Sequence, residues 1–171
     1  AAPLLTAPIE LSNGLAVLSR FSIEKATIVK LPTGNEPRVA LTAQIQLPDG
    51  EMVTFVNLHF DWVKDDEFRF AQATELKKIL DGLKTPYVLL GDFNDVPKPR
   101  TLKLLRQGIV EAKKPADDHF TFSATNPSIE IDYIFAAPSS RWTVGRVTVI
   151  DEPVASDHRP VVARLSLKRS P

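Results

Sequence analysis

The 171-residue chain contains no cysteine. That excludes disulfides and thiolate metal sites, and it leaves the redox compartment open. There is no excess of charge either: 21 basic and 21 acidic side chains give a formal net charge of zero. A strong general attraction to nucleic acid or to an anionic membrane is therefore not advertised, although a local basic patch fits inside a neutral total. No apolar run reaches the roughly 18–20 residues of a transmembrane segment. Internal repeats, low-complexity tracts and clear linkers are absent as well. The chain opens Ala1-Ala2-Pro3, without an initiator methionine or a signal-peptide pattern, as expected of a processed product or a fragment. No compartment, cytoplasmic or exported, is implied.

What is present is ordinary for a globular protein: 43% hydrophobic and 25% charged residues. A single domain over residues 1–171 is the expectation at this length, with the Pro-, Ala- and Thr-rich residues 1–13 as a loose lead-in. Short apolar runs at Leu15–Leu18 and Ala26–Leu31 read as strands. Arg38–Leu47 alternates cleanly and Met52–Phe60 follows the turn residues Pro48-Asp49-Gly50, which predicts a hairpin. From Asp65 to Leu83 the period changes, with Leu76, Ile79, Leu80 and Leu83 on one helical face. A strand at Tyr87–Leu90 and a short helix at Thr101–Gln107 come next. Pro115–Pro127 reads as polar loop, and Ile131–Ala136, Trp142–Ile150 and Val161–Leu167 as three further strands. Many strands, two helices and a hairpin indicate a mixed α/β sandwich.

Four of these strands border polar residues of catalytic types. Val56-Asn57-Leu58-His59 delivers an imidazole, and Gly91-Asp92-Phe93-Asn94 an acid and an amide. Ile131-Asp132-Tyr133 places one carboxylate among apolar neighbours. Ser156-Asp157-His158-Arg159-Pro160 brings an acid, an imidazole and a guanidinium. Each has a plain structural alternative: His59 as a satisfied strand-end histidine, Asp132 as a buried acceptor, and the Gly91 and Ser156 segments as turns. On an extended backbone Asp92 and Asn94 share a face while Phe93 packs beneath. Carboxyl ends of buried strands are where α/β sheets place their chemistry. His119, within Asp117-Asp118-His119, reads as solvent-exposed; Phe60 reads as core, while Trp62 remains open as a stacking surface.

The ordered set Gly14…Leu18-Ser19-Arg20, Asn57-Leu58-His59, Gly91-Asp92-Phe93-Asn94, Ile131-Asp132-Tyr133 and Ser156-Asp157-His158-Arg159-Pro160 resembles the endonuclease/exonuclease/phosphatase (DNase I-like) superfamily, of a generic bacterial type. The resemblance covers nearly the whole chain from Gly14 onward. It implies a four-layered α/β/β/α sandwich with mostly antiparallel mixed sheets, and hydrolysis of a phosphoester with Mg²⁺ or Mn²⁺. Attack on phosphorus needs a positioned water, a base and cationic groups around the phosphoryl oxygens. Asp92 suits the base and Asn94 a phosphate hydrogen bond. His158 suits an imidazolium oriented by Asp132, and His59 suits a second phosphate ligand or an acid. Asp157 suits the metal.

Relatives usually open with a metal-site asparagine and then a Gln-Glu pair, and neither is matched within Ala1–Asn13; Glu10 lacks both the strand and the glutamine. The fold is therefore expected to be incomplete at its N-terminus, with weak Mg²⁺ binding, slow turnover and an exposed sheet edge open to self-association. A remnant that binds a phosphorylated ligand or partner without cleaving it is the alternative. Phe60-Asp61-Trp62-Val63 stands where abasic-site endonucleases usually carry Tyr-x-Pro-Asn, which disfavours that branch. Nucleic acid, a phosphoinositide or phospholipid head group, and other phosphodiesters remain as substrate classes.

Overall fold

Segments with period-two alternation become strands, and the way two of them run side by side creates the site. The computed structural model describes residues 14–97 and 99–169. The elements are β1 (Ile23–Lys30), β2 (Val39–Gln46), β3 (Met52–His59), α1 (Glu67–Gly82), β4 (Tyr87–Asp92), α2 (Arg100–Leu105), β5 (Val110–Glu111), β6 (Asp132–Ala137), β7 (Trp142–Val149) and β8 (Val161–Leu167). Six strands form one mixed sheet in the order β1-β2-β3-β4-β6-β5, and β7 pairs with β8 in a second. Every pair is antiparallel except β3 with β4. That exception follows from α1, because a helical crossover returns the chain parallel to the strand it left. The carboxyl ends of β3 and β4 therefore meet, and β6, running the other way, brings its amino end to the same edge.

Alternation then sorts the side chains. Val56, Leu58, Leu89, Tyr133 and Phe135 face the helices and pack on Ala73, Leu76 and Leu80 of α1 and on Leu102 and Leu105 of α2. On the opposite face Val53, Val88 and Ala136 meet Trp142, with Leu165 and Leu167 of β8 against them. The described residues thus build a helix layer, the six-stranded sheet and the two-stranded sheet of the expected sandwich. The apolar stripe of α1 is the one anticipated, since Leu76 and Leu80 are 0% and 3% exposed. None of the described helices is long and apolar enough to cross a membrane. β1 lies at one edge of the large sheet, exposed along most of its length.

Three expectations are corrected. Leu15–Leu18 forms no strand: its side chains alternate in burial, and the hydrogen bond from this segment to β3 is a side-chain one, the Asn57 amide donating to the Ala16 carbonyl (3.1 Å). Residues 115–127 are more than polar loop, because Thr121 and Ala124 are buried and Phe122 bridges to both Ile129 and His158. His119 is half-buried rather than open to solvent, with its ring 4.2 Å from that of Phe120. The two-residue strand β5 was not anticipated, being too short to show a period.

The segment leaving β3 is held by buried polar groups. Asp61, wholly buried, accepts from the Asn35 amide (2.7 Å) and the Val63 amide (3.2 Å), and its own amide donates to Gln72 Oε1 (3.0 Å). Where β3 and β4 converge the limiting residue is Gly91. Its φ is 137°, and a Cβ there would sit 2.0 Å from the Leu58 carbonyl oxygen, so both backbone conformation and space demand glycine. Gly91→Ala is expected to cost about 3 kcal/mol or more of stability, read as a lowered urea midpoint. An unchanged midpoint would show that the strands do not approach this closely.

Candidate active site

Register places three of the expected residues in a row. His59 lies opposite Asp92 in the parallel pair, and Asp92 lies opposite Asp132 in the antiparallel pair. By strand alternation all three project from the face opposite the helices. Phe93, one residue on, goes to the helix side, fully buried. There it meets Phe60, Tyr133 and Phe135 edge-on at 5.6, 5.5 and 5.4 Å between ring centroids. The aromatic cluster fixes the turn from below while the polar row faces a cavity of about 370 Å³, which His158 also lines.

His158 arrives from the loop before β8. Its Nδ1 is 2.9 Å from Asp132 Oδ2 and its Nε2 is 3.8 Å from Asp92 Oδ2; His59 Nε2 approaches the same Asp92 oxygen at 3.4 Å. One carboxylate oxygen thus sits between two imidazoles. The other, Oδ1, accepts the Asn94 backbone amide at 2.7 Å. Gly91-Asp92-Phe93-Asn94 is therefore a turn that also presents a carboxylate to two imidazoles, each arrangement using one oxygen of Asp92.

Asn94 itself has a left-handed backbone (φ 48°), which asparagine tolerates better than most residues, and its side-chain amide donates to the Phe60 carbonyl at 3.0 Å. It lines a different cavity from the one that Asp92 faces. Asp157 is exposed, its Oδ1 3.4 Å from the Ser156 hydroxyl that donates to it. Of the expected residues, then, His59, Asp92, Asp132 and His158 converge, Asn94 stands behind the turn, and Asp157 stands outside the cluster.

Two further residues shape the site. Thr121 is fully buried; its hydroxyl oxygen accepts from the Ile131 and Asp132 amides (3.2 and 3.3 Å) and its carbonyl from the Arg159 amide (2.7 Å). It therefore ties the start of β6 to the His158 loop. The Ala124 amide donates to the Asp157 carbonyl at 2.7 Å and Arg159 Nε to the Ala124 carbonyl at 2.9 Å, completing the clamp. Its signal in the sequence was the apolar-polar alternation of Phe120-Thr121-Phe122-Ser123. Arg38, buried and paired with Glu36 at 3.1 Å, is the other, and its positive charge is felt by His59 and Asp92. No motif marked it.

These surroundings push the groups apart. The hydrogen bond from Asp132 raises the His158 pKa above its ordinary value, against the opposing effect of burial. His59 is lowered, first by burial and then by Arg38 and His158. Asp92 is pushed up to about 6, first by burial and then by Asp132, while the Asn94 amide pulls the other way. The result is one imidazole shifted towards its charged form, one shifted towards its neutral form, and a carboxyl whose pKa is pushed up to about 6, the kind of separation that acid–base chemistry uses. Ligating atoms of Asp92, Asp132 and His158 lie within 4.8 Å of one another. A hard divalent cation prefers oxygen donors, which within this cluster come from Asp92 and Asp132; Asp157 stands outside it.

A mixed α/β sandwich with a carboxylate–imidazole cluster at its strand ends is the class that fold and site define. The chain belongs to the Endonuclease/Exonuclease/phosphatase family, whose model matches residues 6–158. A UPF0294 protein of Vibrio campbellii is 27% identical over 167 residues, which are 92% of this chain and 56% of that protein. The chain thus spans a little over half the length of that relative. Among solved structures, a functionally unknown conserved protein from Enterococcus faecalis V583 is similar at TM-score 0.75 and 22% identity, covering 86% of this chain and 67% of that one. The mannosyl-6-phosphatase of Bacteroides thetaiotaomicron gives TM-score 0.73 at 22% identity with the same coverage. At this identity the two structures establish the fold.

The Asp92 pKa is higher in the fold, about 6, than the ordinary 3.8. The associated stability is therefore complete below pH 3.8 and lost as pH rises through about 6. Asp92→Asn, which keeps the acceptor for Asn94, is expected to stabilise the metal-free protein by about 2 kcal/mol at pH 8 and not at pH 3.5. Urea melts in chelator at the two pH values measure this, and an equal effect at both would contradict the burial of charge at Asp92.

Proposed function

We propose that this chain is a divalent-metal-dependent phosphoesterase in which Asp92 aligns and deprotonates a water for in-line attack on phosphorus. The observation that carries the reading is the Asp92 Oδ2 atom, held between two imidazoles by a carboxyl whose pKa lies near 6. A general base works best when its pKa is close to the operating pH. The proton taken from water resides on Asp92 as the new phosphorus–oxygen bond forms and the bond to the leaving oxygen, opposite the water, breaks; that oxygen takes its proton from solvent. His158, charged and oriented by Asp132, faces the phosphoryl oxygens and offsets the negative charge that builds there. His59, whose pKa burial lowers, would donate an N–H to the same group in its neutral form, which favours the phosphate-ligand role over that of an acid. Oxygens of Asp92 and Asp132 would hold a divalent cation, with the exposed Asp157 as a further ligand, and the cation would supply further positive charge to the phosphoryl oxygens. Asn94, with one amide hydrogen committed to Phe60, has a second for the substrate.

Family membership supports hydrolysis of phosphoesters as the reaction class. Nucleic acid, head-group phosphoesters and sugar phosphates are all compatible with it. Hydrolysis of bis-p-nitrophenyl phosphate, plasmid DNA and an inositol phosphate, with Mg²⁺ or Mn²⁺, tests the reading. Asp92→Ala and His158→Ala should each lower kcat at least a hundredfold, about 3 kcal/mol of transition-state stabilisation. No metal-dependent hydrolysis of any substrate would instead support a remnant that binds a phosphorylated ligand or partner without cleaving it. Because Asp92 must be ionised and His158 protonated, kcat/KM should rise through about pH 6 and fall at a pH above the ordinary 6.5 of histidine. A profile that stays flat across that range rules out this assignment of base and cation.

A further inference from the structure

Beneath the catalytic row a buried ion pair joins the segments that leave β3 and β4. Asp95, 2% exposed, ends the Gly91–Asp95 turn, and Arg69 of α1, 5% exposed, approaches it with Nε 3.6 Å from Oδ1. The two residues border the second cavity, of about 510 Å³, which Trp62 and Asn94 also line. Arg69 Nε and Asp95 Oδ2 are nevertheless sealed from solvent and, among the described residues, have no hydrogen-bond partner. A separation of 3.6 Å is too long for a charge-assisted hydrogen bond, and an ion pair buried without one seldom repays its desolvation. Burial pushes the Asp95 carboxyl up to about 6, against the opposing effect of Arg69. Stability is poorly served by such a pair, and its worth lies in what it connects.

Arg69 spends the rest of its guanidinium on the chain after β3. Nη1 donates to the carbonyls of Asp61 (3.2 Å) and Val63, and Nη2 to that of Lys64 (3.5 Å). One turn along α1, Gln72 Oε1 accepts the Asp61 amide at 3.0 Å. The helix thus grips a segment that starts two residues after His59. On the other side of the pair, the Asp95 carbonyl accepts the Tyr133 hydroxyl at 3.2 Å, which ties the turn to β6 one residue after Asp132. Asn94 crosses between the two segments, its side-chain amide donating to the Phe60 carbonyl at 3.0 Å. The two imidazoles of the cluster differ in how they are held. His158 is oriented by Asp132 at 2.9 Å, whereas the His59 ring meets Asp92 at 3.4 Å, longer than an ordinary hydrogen bond. The place of His59 relative to Asp92 is therefore left to the backbone that carries it, and that backbone is what Arg69 and Asp95 lock together.

We propose that Arg69 and Asp95 are positioning residues for the carboxylate–imidazole cluster: their pair fixes the chain after β3 against the turn after β4 and so sets the approach of His59 to Asp92. A misplacement of about 1 Å can cost a hundredfold in rate. The catalytic consequence rests on the phosphoesterase reading, but the geometry does not. Removing one partner strands a buried charge, so the principal variant is the double Arg69→Met, Asp95→Leu, with Asp95→Asn as the second. The urea midpoint of the double variant should equal or exceed that of the parent protein. Its kcat on bis-p-nitrophenyl phosphate with Mn²⁺ should nevertheless fall tenfold or more, with KM changed less than twofold. Asp95→Asn, assayed where its urea transition shows it folded, should lose kcat in the same way. The chain has three histidines, so their ring signals are readily followed by NMR. At fixed pH in chelator, those of His59 should shift in both variants while those of His119 stay in place. A kcat that survives in either folded variant of an active parent, or His59 signals that coincide with the parent's, overturns the proposal. Should the double variant not fold, Asp95→Asn decides by the same two readouts. A parent protein without hydrolytic activity whose His59 signals still shift refutes the phosphoesterase reading alone.

Discussion

The site depends on the hydrogen bond between Asp132 Oδ2 and His158 Nδ1, 2.9 Å long. It joins the first residue of β6, in the six-stranded sheet, to the loop that leads into β8, in the two-stranded sheet. Orientation and charge of His158 both follow from it, since a carboxylate partner favours the imidazolium and leaves Nε2 facing Asp92. The bond is in turn supported from below. Thr121 holds the backbone of Asp132 with its hydroxyl and that of Arg159 with its carbonyl. A buried polar group satisfied on both sides in this way rigidifies what it connects.

Packing and chemistry oppose each other at Asp92. Burial that shapes the cavity also disfavours its ionised form, and Asp132 adds like charge from the neighbouring strand. The opposing contributions are the Asn94 amide, His158 and, at longer range, the buried guanidinium of Arg38. The aromatic cluster around Phe93 holds the strand end where this balance exists, as apolar burial commonly supports a strained or charged functional group. A carboxyl left near neutrality in pKa is a cost to stability and an asset to proton transfer.

The Gly91–Asp95 turn serves two sides. Asp92 faces the imidazoles, Phe93 faces the core, Asn94 closes the turn through the Phe60 carbonyl, and Asp95 closes the second cavity beneath Trp62. Five consecutive residues thus border both the carboxylate–imidazole cluster and a recessed polar wall. The loop after β3 contributes the opposite side of that wall, kept in place by Asp61 and Arg69.

Much of this was legible in the residues themselves. Period-two alternation marked β2, β3, β7 and β8 closely, and the Leu76–Leu80 stripe marked α1, because burial on one face leaves a repeat in the chain. His59, Asp92, Asp132 and His158 stood out because polar groups at the ends of apolar runs need a reason. Leu15–Leu18 misled for the converse reason: an apolar run records bulk, whereas a strand requires a partner for its backbone. Arg38 and Asp95 were not legible, since their roles come from what folding places beside them, and Thr121 was signalled only by the alternation around it. The chain by itself determined which groups were available and on which face of each strand they lie. Only tertiary structure decided that β3 and β4 run parallel, that two imidazoles and a second carboxylate crowd one oxygen of Asp92, and hence which way each pKa moves, because a pKa is set by neighbours and burial rather than by residue type.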